Sequence, residues 1–269
     1  MLSSLPPLID IGANLTHESF DHDLEAVLQR SAEAQVARIM LTGTDLASTR
    51  KAIDWSTQQP AQFRATAGFH PHVASAWDSV AEQEIAELAL RDEVVAVGEC
   101  GLDYNRDFSP RDIQRKVFTA HLSIAAQCKK PLFLHQREAH EEFVSLLKPR
   151  VDELAGGVVH CFTDTREAME EYLELGFYIG ITGWVCDDRR GKDLRQTVKE
   201  LPLDRLLIET DAPYLLPRTL RPRPKSRRNE PCHLPEVVKM LAECMQCSPE
   251  DIAKHSTRNA QRLFGLGDL

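Results

Sequence analysis

The sequence predicts a single α/β domain built as a TIM-type (β/α)8 barrel. The length of 269 residues is close to the roughly 250 that such barrels need. Eight short apolar runs recur along the chain, with helical patterns between them. These runs are continuously apolar instead of alternating, which is typical of strands buried on both faces of a parallel sheet. Together these features favour eight βα units in one barrel.

The eight predicted strands are short, rich in β-branched residues, and end at polar or turn residues. In chain order they cover residues 8–11, 38–42, 64–68, 94–98, 131–135, 157–160, 178–182 and 206–209. A doubly wound open sheet is the alternative. It is disfavoured because Gly12, Ala13 and Asn14 follow the first strand, where that fold often carries a GxGxxG phosphate-binding turn.

Helices are predicted where apolar residues return every three or four positions. The clearest examples cover residues 23–34, 79–90, 112–126 and 166–175. Beyond the last strand the pattern resumes at 234–245, and Ser248 followed by Pro249 predicts the capped start of a final helix. We therefore expect C-terminal helices over 234–269, within one domain spanning 1–269, because no linker or long repeat interrupts the chain.

Between the last strand and these helices lies a basic, proline-rich segment. Prolines disfavour a regular helix over 213–235. Its basic residues are Arg218, Arg221, Arg223, Lys225, Arg227 and Arg228. We expect residues 218–231 to form a loop on the rim of the barrel.

Composition limits the partners of the protein. The 32 basic and 41 acidic residues give a net charge of -9, which argues against coating nucleic acid or an anionic membrane by bulk electrostatics. No stretch approaches the roughly 20 apolar residues of a membrane span, and Met1 to Pro7 lack the features of a secretion signal. Seven scattered cysteines suggest reduced thiols. These observations predict a cytoplasmic protein with no membrane partner.

Four acidic or histidine residues stand at the ends of separate predicted strands, where barrels of this type carry their active sites. They are Glu99, His135, His160 and Asp211. Two imidazoles and two carboxylates suit a divalent cation, and without one the carboxylates would repel each other. We predict a metal site, with Asp211 also able to accept the proton of an attacking water.

Nucleophilic chemistry is less favoured by the sequence. The chain has no GxSxG motif. Cys100 and Cys161 each stand one residue after a predicted ligand, so strand alternation is expected to point both thiols away from the ligand side.

Several separated motifs resemble those of the TatD-type metal-dependent deoxyribonucleases. They are Gly98-Glu99-Cys100-Gly101-Leu102-Asp103-Tyr104, Gly68-Phe69-His70-Pro71-His72, His135 with Arg137, His160-Cys161-Phe162, Glu209-Thr210-Asp211-Ala212-Pro213-Tyr214-Leu215 and Arg228-Asn229-Glu230-Pro231. The resemblance runs from Asp10 to Phe264 and so covers nearly the whole chain.

This resemblance implies an amidohydrolase-like barrel that acts as a 3′ to 5′ exonuclease on single-stranded DNA or RNA ends. It further implies Mg²⁺ as cofactor, with Mn²⁺ or Zn²⁺ also compatible with the donor atoms, a monomer, and a role in DNA repair. The family's metal-centre carboxylate corresponds to Glu99, and its imidazole ligands correspond to His135 and His160. Asp211 matches the aspartate at the last strand, and His70 matches the histidine near the scissile phosphate.

The first strand departs from the pattern of many relatives. They begin Asp-x-His-x-His, whereas this chain has Asp10, Gly12 and Asn14 at those positions. Because both histidines are missing, a second metal position is expected to be weak, or filled only when substrate oxygens help to coordinate the ion. We predict one firmly held ion.

Nucleic-acid contacts are expected on the rim that carries Asp211. Arginine can bind phosphate oxygens through two hydrogen bonds, and such a groove follows a backbone without reading its sequence. The predicted contact residues are His70, Arg137, Arg218, Arg221, Arg227 and Arg228. Trp184 is a candidate for base stacking or for ordinary packing. Alternatively, the basic segment is a solvated loop that pairs with surplus acids.

Three other functions stay open at this point. One is a barrel metallohydrolase acting on a small amide or ester, disfavoured because Glu99 stands where many such enzymes carry a carboxylated lysine. Another is a hydrolase that removes an aminoacyl ester from tRNA. The third is a binding barrel that has lost catalysis, which the retained set of four predicted ligands disfavours.

Overall fold

In a computed structural model, described from residue 5 to residue 269, eight parallel strands form one sheet in the order β1 to β8. Their bounds are β1 Leu8–Ala13, β2 Val36–Leu41, β3 Phe63–Ala67, β4 Val94–Asp103, β5 Leu132–Arg137, β6 Gly157–Val159, β7 Tyr178–Ile181 and β8 Leu206–Ile208. The predicted TIM-type barrel is confirmed. The prediction about a secretion signal in Met1 to Pro7 lies partly outside the described residues.

The barrel closes between β1 and the segment that follows β8. The backbone N–H of Asp211 donates to the carbonyl of Gly12 at 2.8 Å, and the N–H of Asn14 donates to the carbonyl of Ala212 at 2.7 Å. This closure places Asp211 beside the end of β1, at the carboxyl end of the barrel.

Among residues 5–269, nine α-helices surround the strands. They are α1 Leu24–Glu33, α2 Leu46–Gln58, α3 Ser79–Ala89, α4 Arg111–Cys128, α5 His140–Leu147, α6 Arg166–Glu174, α7 Lys192–Thr197, α8 Leu234–Met245 and α9 Pro249–Phe264. The hydroxyl of Ser248 accepts a hydrogen bond from the N–H of Asp251, as predicted for the start of α9. None of the described helices is long and apolar enough to cross a membrane.

Strand β4 is longer than predicted and contains Glu99, which the sequence pattern placed at the strand end. The strand continues because two glycines let β4 lie very close to β5. A Cβ atom at Gly98 would lie 2.1 Å from the carbonyl oxygen of Phe133, and one at Gly101 would lie 1.8 Å from that of His135. Both glycines also have strongly positive φ angles, which favour residues without a side chain.

The interior of the barrel is filled near the amino ends of the strands. Ile9, Met40 and Leu207 lie in one buried cluster with Ala260 and Phe264 of α9. This arrangement indicates that α9 packs against the amino end of the barrel and leaves the carboxyl end open to solvent.

Candidate metal centre

One carboxylate oxygen of Glu99 lies among three imidazole rings. Its Oε1 is 2.9 Å from His135 Nδ1, 2.8 Å from His160 Nε2 and 3.1 Å from His70 Nε2. Strands β4 and β5 supply Glu99 and His135, His160 follows β6, and His70 lies beyond β3. The side chains of Glu99 and His160 are almost fully buried, and those of His70 and His135 are only slightly exposed.

The donor atoms suit a divalent cation. The ligand atoms of His70, Glu99 and His135 all lie within 4.8 Å of one another, and imidazole nitrogen with carboxylate oxygen is a common ligand combination. Three of the four predicted ligands, Glu99, His135 and His160, meet here. His70 joins them, although the sequence assigned it a role near the phosphate.

The three rings and Glu99 shift each other's protonation. Burial alone would raise the pKa of Glu99, but His160, His70 and His135 hold it well below its usual range. Burial alone would lower the pKa of His160, yet Glu99 and Glu209 raise it well above the ordinary value. For His70 burial prevails and lowers the pKa to about 4. A metal ion would therefore compete with protons for the imidazole nitrogens of His135 and His160, whose pKa values are raised.

Asp211 borders this cluster. Its Oδ1 accepts a hydrogen bond from Asn14 Nδ2 at 3.1 Å. Burial raises the pKa of Asp211 to about 8; His160 opposes that rise, whereas Glu99 and Glu209 add to it. Without a cation this carboxyl group therefore tends to stay protonated near pH 7, and a nearby cation would favour its charged form.

Two carboxylates that were given no role from the sequence orient the imidazoles. Asp103 Oδ2 lies 3.2 Å from His135 Nε2 and 2.7 Å from His72 Nε2. Glu209 Oε2 lies 3.3 Å from His160 Nδ1. Carboxylates behind metal-binding imidazoles fix the ring orientation. Both acids stand at or near predicted strand ends, and that position was the signal available in the sequence.

Glu209 also explains the glycine that replaces the first family histidine. A Cβ atom at Gly12 would lie 2.5 Å from Glu209 Oε2 and 2.9 Å from Phe133 Cζ. The Glu209 carboxylate is held there because its Oε1 accepts the N–H of Cys161 at 2.6 Å. An imidazole at position 12 would therefore require the Glu209 carboxylate and the Phe133 ring to move.

Strand alternation, on which the expected orientation of Cys161 depended, does not hold at this residue. Strand β6 ends at Val159 and Cys161 has a φ of 46°, so strand alternation no longer applies there. Its Sγ lies 3.7 Å from Thr182 Oγ1. Burial raises the pKa of this thiol well above its usual value, and the nearby Asp211 and Glu209 carboxylates add to that rise.

Comparison with known proteins agrees with this geometry. The sequence profile of TatD related DNases matches residues 9–265. The chain belongs to the TatD-related DNase family. It is 47% identical over 259 residues to the "3'-5' ssDNA/RNA exonuclease TatD" of Erwinia tasmaniensis, covering 96% of this chain and 100% of that protein. The protein of the same description from Rahnella sp. is 49% identical over 259 residues, covering 96% and 98%.

Solved TatD structures share the fold. A TatD family hydrolase from Entamoeba histolytica superimposes with a TM-score of 0.88 at 27% identity, covering 98% of this chain and 100% of that one. The TatD homologue YjjV of Escherichia coli K12 gives a TM-score of 0.87 at 29% identity, covering 97% and 98%. The family resemblance derived from the sequence is confirmed.

In this TatD-family chain the predicted nucleic-acid contact residues differ in how exposed their side chains are and in whether other residues of the protein bind them. Arg137 ends β5. Arg218 is about half exposed, with Nε 3.0 Å from Asp187 Oδ2. The exposed Arg221 donates to the carbonyls of Arg218 and Leu220, at 2.9 and 2.8 Å. Arg227 is exposed.

Arg228 is engaged within the protein. Its guanidinium donates two hydrogen bonds to Asp23, at 2.8 and 2.7 Å, and one to Glu230 at 2.8 Å. Only 19% of the side chain is exposed, and it lies over the ring of Phe20. This geometry favours anchoring of the basic segment over contact with a substrate.

Proposed function

We propose that this chain is a metal-dependent 3′ to 5′ exonuclease that hydrolyses phosphodiester bonds of single-stranded DNA or RNA. The observation that carries the proposal is the single Glu99 oxygen among three imidazoles, with Asp211 beside them. The names of relatives that share nearly half of the sequence supply the direction of digestion and the class of substrate.

In this proposal Glu99, His135, His160 and Asp211 hold the ion, with His70 available as a further ligand or as a donor to the phosphate. When bound, a divalent cation, for which we propose Mg²⁺, polarises the scissile bond and lowers the pKa of water. Asp211, in its charged form next to the cation, accepts the proton of the attacking water.

The basic rim holds the strand. Arg137, Arg218, Arg221 and Arg227 are proposed to contact phosphates. Arg218, Arg221 and Arg227 are exposed and Arg137 is partly exposed, which leaves donors available for oxygens. Arg228 instead anchors the segment through Asp23 and Glu230.

We further propose that the protein works as a cytoplasmic monomer on damaged DNA ends. All seven cysteines are free thiols, which supports a reducing compartment.

The test is digestion of 5′-labelled single-stranded DNA by the wild type and Glu99→Gln, with Mg²⁺, Mn²⁺ or Zn²⁺ added to metal-free protein. We expect a ladder shortening from the 3′ end, and at least about a 1000-fold loss in the variant, because a neutral amide removes the charge that holds the ion. Glu170→Gln is the control, since Glu170 is a half-exposed glutamate on α6 paired with Arg166.

Equal digestion by Glu99→Gln and the wild type would contradict the proposed centre. Release of an amino acid from aminoacyl-tRNA without shortening of the RNA, or turnover of small amides with intact oligonucleotides, would assign a different hydrolase reaction to the same site.

A further inference from the structure

A cavity of about 250 Å³ is lined by residues that follow strands β5, β6 and β7 or end them. Gln136 and Arg137, which follow His135 on β5, line one side of it. Asp164, four residues beyond His160, lines another side, and Trp184 and Arg190 from the loop after β7 complete it. The cavity therefore lies at the carboxyl end of the barrel, the same end that carries the candidate metal centre.

The amide oxygen of Gln136 has no hydrogen-bond partner in the part of the chain that the structure describes. Its Nε2 donates to Asp164 Oδ2 and to the Tyr172 hydroxyl, both at 2.8 Å, and these two acceptors fix the orientation of the amide. Its Oε1 is buried and accepts no hydrogen bond from any of residues 5–269. Because an unsatisfied buried acceptor is costly, this oxygen is suited to a donor on a ligand.

Arg190 lies over the indole face of Trp184 at the same cavity, and we call this stacked pair the layer. The guanidinium carbon of Arg190 lies 4.3 Å from the centre of the indole. The carboxylate of Asp187 fixes this layer, since Arg190 Nε donates to its Oδ2 at 3.0 Å. The Arg190 side chain is 54% exposed, so the layer can be reached from the cavity side. Indole and guanidinium surfaces are among those on which nucleic-acid bases stack.

We propose that this cavity binds one nucleobase of the substrate strand next to the scissile bond. The base packs against the layer of Trp184 and Arg190, and its exocyclic amino group donates to Gln136 Oε1. The carboxylates of Asp164 and Glu138 also line the cavity, which disfavours an isolated phosphate as the ligand. This inference rests on the proposed nuclease function.

The chemistry of the donor sets a base preference. Adenine, cytosine and guanine carry an exocyclic amino group, whereas thymine and uracil do not. We therefore expect kcat/KM to be about fivefold higher for 3′ ends of dA or dC than for ends of dT, the size of one neutral hydrogen bond.

The experiment combines variants with abasic substrates. An abasic residue is moved through the last three positions of a 5′-labelled oligonucleotide, and kcat/KM is measured for the wild type, Trp184→Leu and Arg190→Ala. At one position the abasic residue is expected to lower wild-type kcat/KM about tenfold, the typical scale of one base stack. On the intact strand, both variants should have a kcat/KM about tenfold below that of the wild type. On that abasic strand, their kcat/KM should differ from the wild-type value by less than about twofold.

The matched control is Arg205→Ala. Arg205 also lies over an aromatic ring, that of Tyr178, but Tyr178 begins β7 at the opposite end of the barrel from Trp184. This control is expected to keep wild-type kcat/KM on every substrate. Thermal unfolding checks each variant, and the exposed Arg190 carries the test if Trp184→Leu does not fold.

The outcomes separate the two proposals. The base site is wrong, and the nuclease function stands, if the wild type degrades oligonucleotides but an abasic residue lowers kcat/KM at none of the three positions. The same conclusion follows if the variants lower kcat/KM by the same factor on intact and abasic strands. If the wild type leaves every oligonucleotide intact with all three metals, the nuclease function itself is wrong, and the base site with it.

Discussion

At the residue scale, one carboxylate oxygen of Glu99 contacts three imidazoles and affects their protonation. Three imidazoles surround it within 3.1 Å, and those of His135 and His160 have raised pKa values because carboxylates outweigh the effect of burial. A bound cation replaces protons on the same atoms. Metal affinity is therefore coupled to pH.

We expect the metal-free chain to bind one Mn²⁺ tightly and to release at least about one proton at pH 7. Imidazoles whose pKa is raised are protonated below that pKa, so affinity should increase as pH rises through the neutral range. Titration calorimetry in buffers of different ionisation enthalpy measures both the stoichiometry and the protons released. A heat independent of buffer, or two equally tight ions, would contradict this prediction.

Gly12 and Glu209 share one small space, which makes their substitutions interdependent. Gly12→Ala is expected to destabilise the protein by about 1–3 kcal/mol, since the new Cβ would lie 2.5 Å from Glu209 Oε2. In Gly12→Ala/Glu209→Ala the loss should be smaller than the sum of the single losses by about 1 kcal/mol or more. Urea unfolding of the four proteins measures this coupling, and strict additivity would refute it.

At the scale of elements, the segment between β8 and α8 contains one arginine that anchors it to the protein and others that are exposed. Asn229 Nδ2 donates to the carbonyl of Thr210 at 2.9 Å, and Arg228 joins the segment to the start of α1 through Asp23. Arg227, its neighbour, is exposed. Adjacent residues of the same type are thus expected to have separate roles.

We expect Arg228→Ala to lower the free energy of unfolding by about 2 kcal/mol, because two acids lose a charged partner. The same contact depends on pH. The hydrogen bond from Arg228 lowers the pKa of Asp23, and Arg30 and Arg228 outweigh burial to lower that of Glu230. Their stabilisation is complete above the ordinary carboxyl pKa of about 4 and is lost as pH falls through the lowered values.

Arg227→Ala is the matched variant. It is expected to leave stability within about 0.5 kcal/mol and to weaken binding of single-stranded DNA several-fold. Denaturant unfolding from pH 7 to pH 3 together with fluorescence anisotropy on a labelled oligonucleotide distinguishes the two positions. If Arg228→Ala weakens binding of single-stranded DNA and leaves the free energy of unfolding unchanged, Arg228 contacts the substrate and our assignment of an anchoring role to it is wrong.

For the whole molecule, the net charge of -9 limits how much of a strand it can hold. Under the proposed function, favourable phosphate contacts are expected only at the few exposed arginines on the rim, because the chain as a whole carries an excess of acids. The protein is therefore suited to gripping a short strand end.

This limit predicts a weak dependence of binding on salt. Each neutralised phosphate of a single strand contributes about -0.7 to the slope of log K against log salt concentration, so three or four contacts give about -2 to -3. Anisotropy titrations at fixed Mg²⁺ measure the slope, and Arg227→Ala should make it about 0.7 shallower. A slope of about -6 would indicate an extended interface and contradict the local one.

The sequence by itself determined the order and position of the eight strands, because short apolar runs and helical periodicity are local properties. It also determined the family and pointed to Glu99, His135 and His160, since parallel strands in a barrel deliver their carboxyl ends to one face.

Only the tertiary structure decided which atoms meet. It extended β4 through two glycines packed against β5, brought His70 onto the Glu99 oxygen, and placed the Glu209 carboxylate beside Gly12. It also separated the anchored Arg228 from the exposed Arg227. These outcomes depend on distances between residues far apart in the chain, such as Gly12 and Glu209, and no local pattern of residues contains those distances.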